Sequence, residues 1–274
     1  ECSLQLRRQK LMEIAPGFGI DPATRQELLA AAVRLAGHAR CRGLCTFEFL
    51  VDNQAEAARF VFMEANPRIQ VEHTVTEMVT GVDIVRSQIL IAAGYPLSHP
   101  EIGLNRQEDV HVDGYAIQCR VTTEDPANNF APDNGKITAY SSSGGFGVRL
   151  DGGNADVGTV ISPYYDSLLV KVTSWDHNFP AACRKAARAI NEVRVRGVKT
   201  NIPFVTNILA HPDFVAGRCH TKFIDETPEL FELNEGQDRA TKMLKYIGNI
   251  VVKERDGHKM YDPCRFPPVT GNRP

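Results

Sequence analysis

The chain has 274 residues, 43% hydrophobic and 23% charged, with a formal net charge of −2 at pH 7. That is the composition of a folded protein with room for one large domain or two ordinary ones. It holds no long run of like charge to suit nucleic acid or an anionic membrane surface, no apolar stretch near the ~18 residues that cross a bilayer, and no opening signal peptide.

Residues 1–13 read either as a strand or as the start of a helix. ECSLQLRRQK begins as if inside an element, without a starting Met, so a piece of a longer protein is expected. Ala15 to Gly19 is a loop. Asp21-Pro22 offers an N-cap and a proline at the first helical position, predicting a helix to about Ala36 with Gly37 as its punctuation. Cys41 and Cys45, near His38, could form half a zinc site. No second CxxC or HxxxH follows at ligand spacing, so free thiols are expected. The seven cysteines are scattered, which fits a reducing compartment better than a disulfide framework.

Thr46 to Asp52 alternates as a strand, with Phe47, Phe49 and Val51 on one side and Thr46, Glu48 and Leu50 on the other. A short polar loop, Asn53 to Arg59, leads to a second alternating run, Phe60 to Val71, and implies an antiparallel pair. Helices are predicted over Asp83–Ala93, Pro180–Glu192 and Ile202–His211. Between them, His111 to Val172 is strand-like and rich in turn residues. A last helix is predicted over Asp238–Ile247, and the proline-rich Cys264–Pro274 reads as a linker or frayed end.

The run MEANPRIQVEHTVTE, from Met63 to Glu77, is the most informative stretch. On a strand, the odd positions of 61–71, all apolar, would face a core, and Glu64, Asn66, Arg68, Gln70 and Glu72 would line the other face at about 6.6 Å per step. Pro67 should break a central ladder, so the middle of the row is expected at an edge or outside the sheet. If the two strands pair, Glu48 lies beside Glu64. Two adjacent carboxylates repel unless a cation sits between them, and Mg²⁺ takes one or two protein carboxylates plus substrate phosphates. Glu48, Glu64 and Asn66 are therefore the candidate metal ligands. Arg68 supplies a forked donor for an oxyanion, and Glu72 is the candidate general base. Any one of these residues alone would read as surface decoration.

CTFEF followed by EANPRIQVEHTVTE closely resembles the motif of biotin carboxylases, members of the ATP-grasp superfamily. The resemblance continues through CSLQLRRQK, CRVTTEDP, SSSGGFGVRLD, ISPYYDSLLVKV, RVRGVKTNIPF, FIDETPELF and DRATKMLKYIG. The last several look more like the pyruvate carboxylase branch than like the acetyl-CoA or propionyl-CoA carboxylases. An unrelated ATP-grasp ligase and a non-catalytic assembly fragment are the other readings. The resemblance implies an α+β chain: the C-terminal half of an ATP-grasp domain over 1–107, the β-rich biotin carboxylase C-terminal domain over 108–226, and a linker towards a further domain over 227–274.

It also implies a ligase that uses ATP, Mg²⁺ or Mn²⁺ and bicarbonate to carboxylate biotin carried covalently on another domain, feeding pyruvate to oxaloacetate. Glu48 and Glu64, with Asn66 alongside, would hold the metal. Lys10, Arg68, Gln70 and the backbone of Val71 would hold bicarbonate, and Glu72 would deprotonate it. Arg120 would stabilise charge on the biotin ureido oxygen, and Gln5 would contact the nucleotide. Arg8 stands where the family has His, and Leu6 where it has Arg; Arg8 can donate a hydrogen bond but never accept one. Phe146 and Arg149 fall in the region where family members dimerise. The implied partners are the biotin carrier and carboxyltransferase domains of the same full-length chain and a second copy of this one, with no nucleic acid and no membrane. The implied compartment is intracellular, in the mitochondrial matrix or the cytoplasm. The upstream glycine-rich lid and phosphate-binding lysines of the family are not in this sequence, so the 274 residues alone are expected to be inactive. Ser143 to Gly147 reads as a turn, and His73 as a packing residue.

Overall fold

Asp21 opens the first helix: its carboxylate accepts from the backbone N–H groups of Ala23 and Thr24, both at 3.0 Å. Proline follows at the first helical position, and α1 runs Pro22–His38, passing through Gly37 where its end was expected. The computed structural model describes residues 1–52, 59–153, 155–233, 243, 244 and 246–251. Ahead of α1, the stretch left open by the sequence is a tight hairpin. β1 (Gln5–Leu6) and β2 (Gln9–Lys10) are joined by Arg7 and Arg8, both at positive φ. Two positive-φ residues match the twist of a two-residue hairpin. β3 (Met12–Ala15) follows.

β4 (Thr46–Asp52) and β5 (Arg59–Asn66) pair antiparallel, as expected. Thr46 stands opposite Asn66 and Glu48 opposite Glu64, but Phe49 stands opposite Phe62. Met63 is an extra residue, a bulge, and it reverses the parity of everything before it. Phe60 and Phe62 therefore share the face of Phe49, at ring-centroid distances of 5.6 and 5.9 Å. The expected core-facing row of odd residues is not there: Val61 is 59% exposed and Met63 60%. The bulge breaks the alternation, and no layer among the described residues covers that side. The aromatic face meets α1 across an open groove of about 450 Å³ lined by Ala31, Leu35, Phe49, Phe60 and Phe62.

β5 stops at Asn66, short of the predicted Val71, because Pro67 has no N–H to continue the ladder. The row thus leaves the sheet in its middle, as the proline demanded. α2 (His73–Thr80) then begins where the sequence reading placed none, closed by Gly81 in the left-handed region. α3 (Ile84–Ala92) is capped by Asp83, which accepts from the Arg86 N–H at 2.8 Å.

The main sheet has four antiparallel strands in the order β11-β13-β6-β3, with β6 (Tyr115–Thr122), β11 (Val148–Gly152) and β13 (Leu168–Asp176). Three ribbons flank it: β7 (Glu124–Asp125) with β8 (Ala131–Pro132), β9 (Gly135–Lys136) with β12 (Val160–Ile161), and β10 (Ala139–Ser141) with β14 (Arg194–Arg196). Since β3 pairs with β6, the sheet joins strands from both sides of the expected 107/108 boundary. One face is apolar: Met12, Ile14, Ile117, Cys119, Val121, Val170 and Val172 are buried there with Ala182, Ala186 and Ile190 of α4 (Phe179–Glu192). Asn178 caps α4, accepting from the Ala181 N–H at 3.0 Å. Next come α5 (Ile202–Ala210), α6 (Pro212–Val215) and α7 (Phe223–Glu226), with Phe204, Ile208 and Phe214 fully enclosed. The other face of the sheet is polar and lies under α2.

Gly197 follows β14 at φ +97°, and a Cβ there would collide with the Lys136 carbonyl oxygen. Gly197→Ala is expected to destabilise the protein by about 1–3 kcal/mol, the cost of a strained backbone plus local displacement. Urea denaturation beside the parent protein checks this, and an unchanged midpoint would count against it.

The chain divides into Glu1–Leu233 and Asn234–Pro274. In the second unit, residues 243, 244 and 246–251 are helical, which meets part of the predicted Asp238–Ile247 helix. The rest of that helix and Cys264–Pro274 lie outside the described residues, as does most of the Asn53–Arg59 loop.

Candidate functional site

Three elements and a loop bring the predicted polar residues together. β2 supplies Lys10 and β4 supplies Glu48. β6 supplies Arg120, and the 67–72 loop curls back after Pro67 to supply Gln70 and Glu72. The Lys10 ammonium donates to Glu48 Oε1 at 2.7 Å and to Glu72 Oε1 at 2.5 Å, tying the two carboxylates together. Gln70 Nε2 donates to the same Glu48 oxygen at 3.0 Å. Arg120 Nη2 reaches the other oxygen of Glu72 at 3.2 Å. Burial pulls the Lys10 ammonium down, but its hydrogen bonds to Glu48 and Glu72 outweigh burial and hold its pKa above the ordinary lysine value. Burial likewise pushes Glu48 up, and the bonds from Lys10 and Gln70 outweigh it, so Glu48 lies below the usual carboxylate range.

Glu48 and Glu64 face the same side of the ribbon, directly across the strand pair. The Asn66 amide bridges them, with Nδ2 2.7 Å from Glu64 Oε1 and 3.4 Å from Glu48 Oε1. The carboxylates thus converge as the sequence implied, although Asn66 turns its nitrogen to them rather than its oxygen. A half-turn of the amide would present Oδ1 instead. Two adjacent carboxylates with an amide oxygen in reach form a hard donor set that fits Mg²⁺ or Mn²⁺, which complete their shell with water and phosphate. Among the described residues no cluster of three or more His, Cys, Asp and Glu forms a fuller cage.

Arg68 does not join the cluster. It is exposed, and its guanidinium donates to the Ile69 carbonyl at 3.1 Å. Gln5 donates to the Cys2 carbonyl at 3.0 Å, and exposed Arg8 sits at the hairpin tip. The Val71 carbonyl accepts from Lys171 at 3.2 Å. Phe146 is 82% exposed, whereas Arg149 is bound to Asp151 by two parallel contacts at 2.9 and 2.8 Å and also to Glu77. Ser143 to Gly147 is a turn leading into β11, as read.

The sequence reading missed Glu13. It is fully buried on β3, where burial pushes its carboxyl above the ordinary value against the opposing pull of Arg120. Glu13 Oε1 accepts from Arg120 Nε at 2.6 Å, and Oε2 accepts from Gln118 Nε2 at 2.6 Å. Gln118 continues to the Thr74 hydroxyl, and Thr74 to Thr173 at 2.8 Å. Arg120 is therefore held from behind by Glu13 and touches Glu72 in front. The available signal was a lone carboxylate between Met12 and Ile14, an acidic side chain on a strand otherwise bound for the core.

Residues 118–226 match the family model of the biotin carboxylase C-terminal domain. Residues 1–100 match that of the carbamoyl-phosphate synthase L chain ATP-binding domain. The chain is 53% identical over 252 residues to a pyruvate carboxylase of Bacillus subtilis, covering 92% of this chain and 22% of that protein. It superimposes on a complete multifunctional pyruvate carboxylase from Rhizobium etli with TM-score 0.85 and 51% identity, over 92% of this chain and 23% of that one. A 2-oxoglutarate carboxylase biotin carboxylase domain of Hydrogenobacter thermophilus, solved with MgADP, ADP and bicarbonate, gives TM-score 0.79 and 41% identity over 85% of this chain and 49% of that one. The chain thus spans less than a quarter of the length of the pyruvate carboxylases it matches.

Proposed function

The chain belongs to the biotin carboxylase family, and we propose that it supplies the bicarbonate-activating half of an ATP-dependent biotin carboxylase within a pyruvate carboxylase. The observation that carries this reading is Lys10, which bonds the metal-side carboxylate Glu48 and the base candidate Glu72 at once. One cation thereby links the place where phosphate would be held to the place where a proton would be removed. Glu48 and Glu64, with Asn66 turned to offer its oxygen, would hold Mg²⁺ or Mn²⁺. When bound, that ion neutralises the phosphate charge of ATP.

Gln70 Oε1 is buried and has no hydrogen-bond partner among the described residues, beside the contact its Nε2 makes with Glu48. A buried acceptor left unmade is costly, so a polar ligand is expected beside it. Lys10, Gln70, the Val71 N–H and Arg68, swung in from its exposed position, would enclose the bicarbonate anion. Glu72 would take its proton. Glu72 faces a cation through each oxygen, so a proton reaches it after one contact opens. The Arg120 contact, at 3.2 Å, is the longer one. Held by Glu13, Arg120 would then turn its free donors to the developing charge on the biotin ureido oxygen. Gln5 and Arg8 would border the nucleotide.

The expected division, an ATP-grasp half over 1–107 and a C-terminal domain over 108–226, remains part of this reading, as do self-association through the C-terminal domain and the biotin carrier and carboxyltransferase domains as partners. No helix among the described residues is long and apolar enough to cross a membrane. We place the working protein in the mitochondrial matrix or the cytoplasm.

The purified 274-residue chain is expected to show no biotin-dependent ATP cleavage above a blank, and the complete carboxylase that carries it is expected to show such activity. ADP release coupled to bicarbonate and biotin measures both. A complete enzyme without bicarbonate-dependent ADP release would refute the proposal.

A further inference from the structure

On the polar face of the main sheet, Lys171 of β13 stands between two cross-strand neighbours, Arg120 on β6 and Asp151 on β11. Like charges directly opposite on a sheet repel, so a lysine beside Arg120 needs a local reason. Among the described residues Lys171 makes no ion pair within 4.0 Å of a carboxylate. Its ammonium instead donates to the Val71 carbonyl at 3.2 Å and lies 3.4 Å from His73 Nε2.

The backbone around this contact explains its use. In the turn that opens α2, the Gln70 carbonyl accepts from the His73 N–H and the Glu72 carbonyl from the Val75 N–H. Lys171 serves the carbonyl between them, Val71, from the neighbouring sheet. It thus grips the central peptide of Gln70-Val71-Glu72, the loop whose flanking side chains enter the cluster. His73 can accept from Lys171 only through a bare Nε2, which leaves the proton on Nδ1. Burial, and then the charge of Lys171, lower the His73 pKa and favour this neutral form. His73 Nδ1 lies 3.2 Å from Glu77 Oε2, though not in hydrogen-bonding geometry, and Glu77 is in turn bound by Arg149.

We propose that Lys171 is a positioning residue of the carboxylase site: by holding the Val71 peptide it aims Gln70, the Val71 N–H and Glu72 at one small oxyanion, bicarbonate. This rests on the functional reading above. A lysine is suited because its long apolar stem crosses the packed layer and its ammonium offers several donors at the tip.

The test uses the complete carboxylase with Lys171→Met, which keeps the stem and removes the charge, with Lys171→Arg as the conservative variant and Arg68→Ala as a control. Loss of one charge-assisted hydrogen bond is worth about tenfold or more in an equilibrium. Lys171→Met is therefore expected to raise KM for bicarbonate about tenfold or more while KM for MgATP and the thermal midpoint stay near the parent values. Lys171→Arg should recover much of the difference. An unchanged bicarbonate KM, or a rise shared equally by MgATP and accompanied by a large drop in the midpoint, would overturn the proposal. If Lys171→Met does not fold, Lys171→Gln, which loses the charge and shortens the reach to the Val71 carbonyl, takes its place: a bicarbonate-specific rise in KM supports the grip on Val71, and parent-like constants overturn it. Arg68→Ala separates the two levels of inference. A dead Arg68→Ala beside a normal Lys171→Met removes only Lys171, whereas a normal Arg68→Ala removes the bicarbonate site itself.

Discussion

Glu72→Gln in the complete carboxylase is expected to lower the rate of biotin carboxylation by about 10²–10⁴, the usual range for loss of a positioned proton acceptor. Glutamine keeps the shape of the side chain and can still accept from Lys10 through its amide oxygen. It cannot take a proton from bicarbonate. It also presents an NH₂ to Arg120 where the carboxylate now offers Oε2 at 3.2 Å, so two donors meet. The damage should fall on the chemical step, with kcat reduced and MgATP binding close to the parent, because Glu48 and Glu64 are untouched. Rapid-quench measurement of bicarbonate-dependent ADP formation and of carboxybiotin would show it. A rate within a few-fold of the parent removes Glu72 from the mechanism.

Arg120→Met should be costly twice over. Its donors are the ones proposed for the ureido oxygen, and loss of such a donor typically costs about 10²–10³ in rate. The same change strands Glu13, which is fully buried and bonded to Arg120 Nε at 2.6 Å. Breaking a buried pair from one side costs about 3–5 kcal/mol, and protonation of the stranded carboxyl limits that cost. Burial already holds the Glu13 carboxyl above its ordinary value, and losing Arg120 raises it further. A carboxyl raised in the folded state contributes its full share below its unfolded pKa and loses it as pH rises through the folded value. The Arg120→Met deficit should therefore be small in acid and grow towards neutral pH. Adding Glu13→Gln should restore most of the stability and none of the rate. Urea melts across that pH range, on single and double variants, separate the two effects; a pH-independent deficit would argue against a stranded carboxyl.

Much of the fold was legible because local chemistry and tertiary packing agree. Asp21 caps the helix it was expected to cap, Asp83 caps the helix read as starting at it, and the Thr46–Asp52 strand has its predicted limits. The failures have physical causes. The strand predicted to Val71 merges an eight-residue strand, a proline break and the turn before α2, because residues 67–72 continue the alternation without continuing the ladder. α2 itself was visible in Val75, Met78 and Val79 at helical spacing, ahead of Gly81. At the site, periodicity found Glu48, Glu64 and Asn66, and the family resemblance brought in Lys10 and Arg120. Neither could show that Gln70 and Glu72 return by a loop, that Arg68 points away, or that Glu13 and Lys171 stand behind the residues in front. Those are facts of cross-strand register between segments far apart in sequence.

The extra residue at Met63 separates two design problems that a regular ribbon would fuse. On one side of it the strand pair must present acids, and on the other it must present phenyl rings to α1; the irregularity lets each half keep its own phase. A substitution at Met63 should accordingly be tolerated, and removing that single position would leave Phe62 and Glu64 adjacent and still on opposite faces; flattening the bulge with Met63 kept is what would turn the acids and the rings to the same surface. The phase of each half of the strand, rather than the identity of the side chain in the bulge, is what this point of the chain must keep.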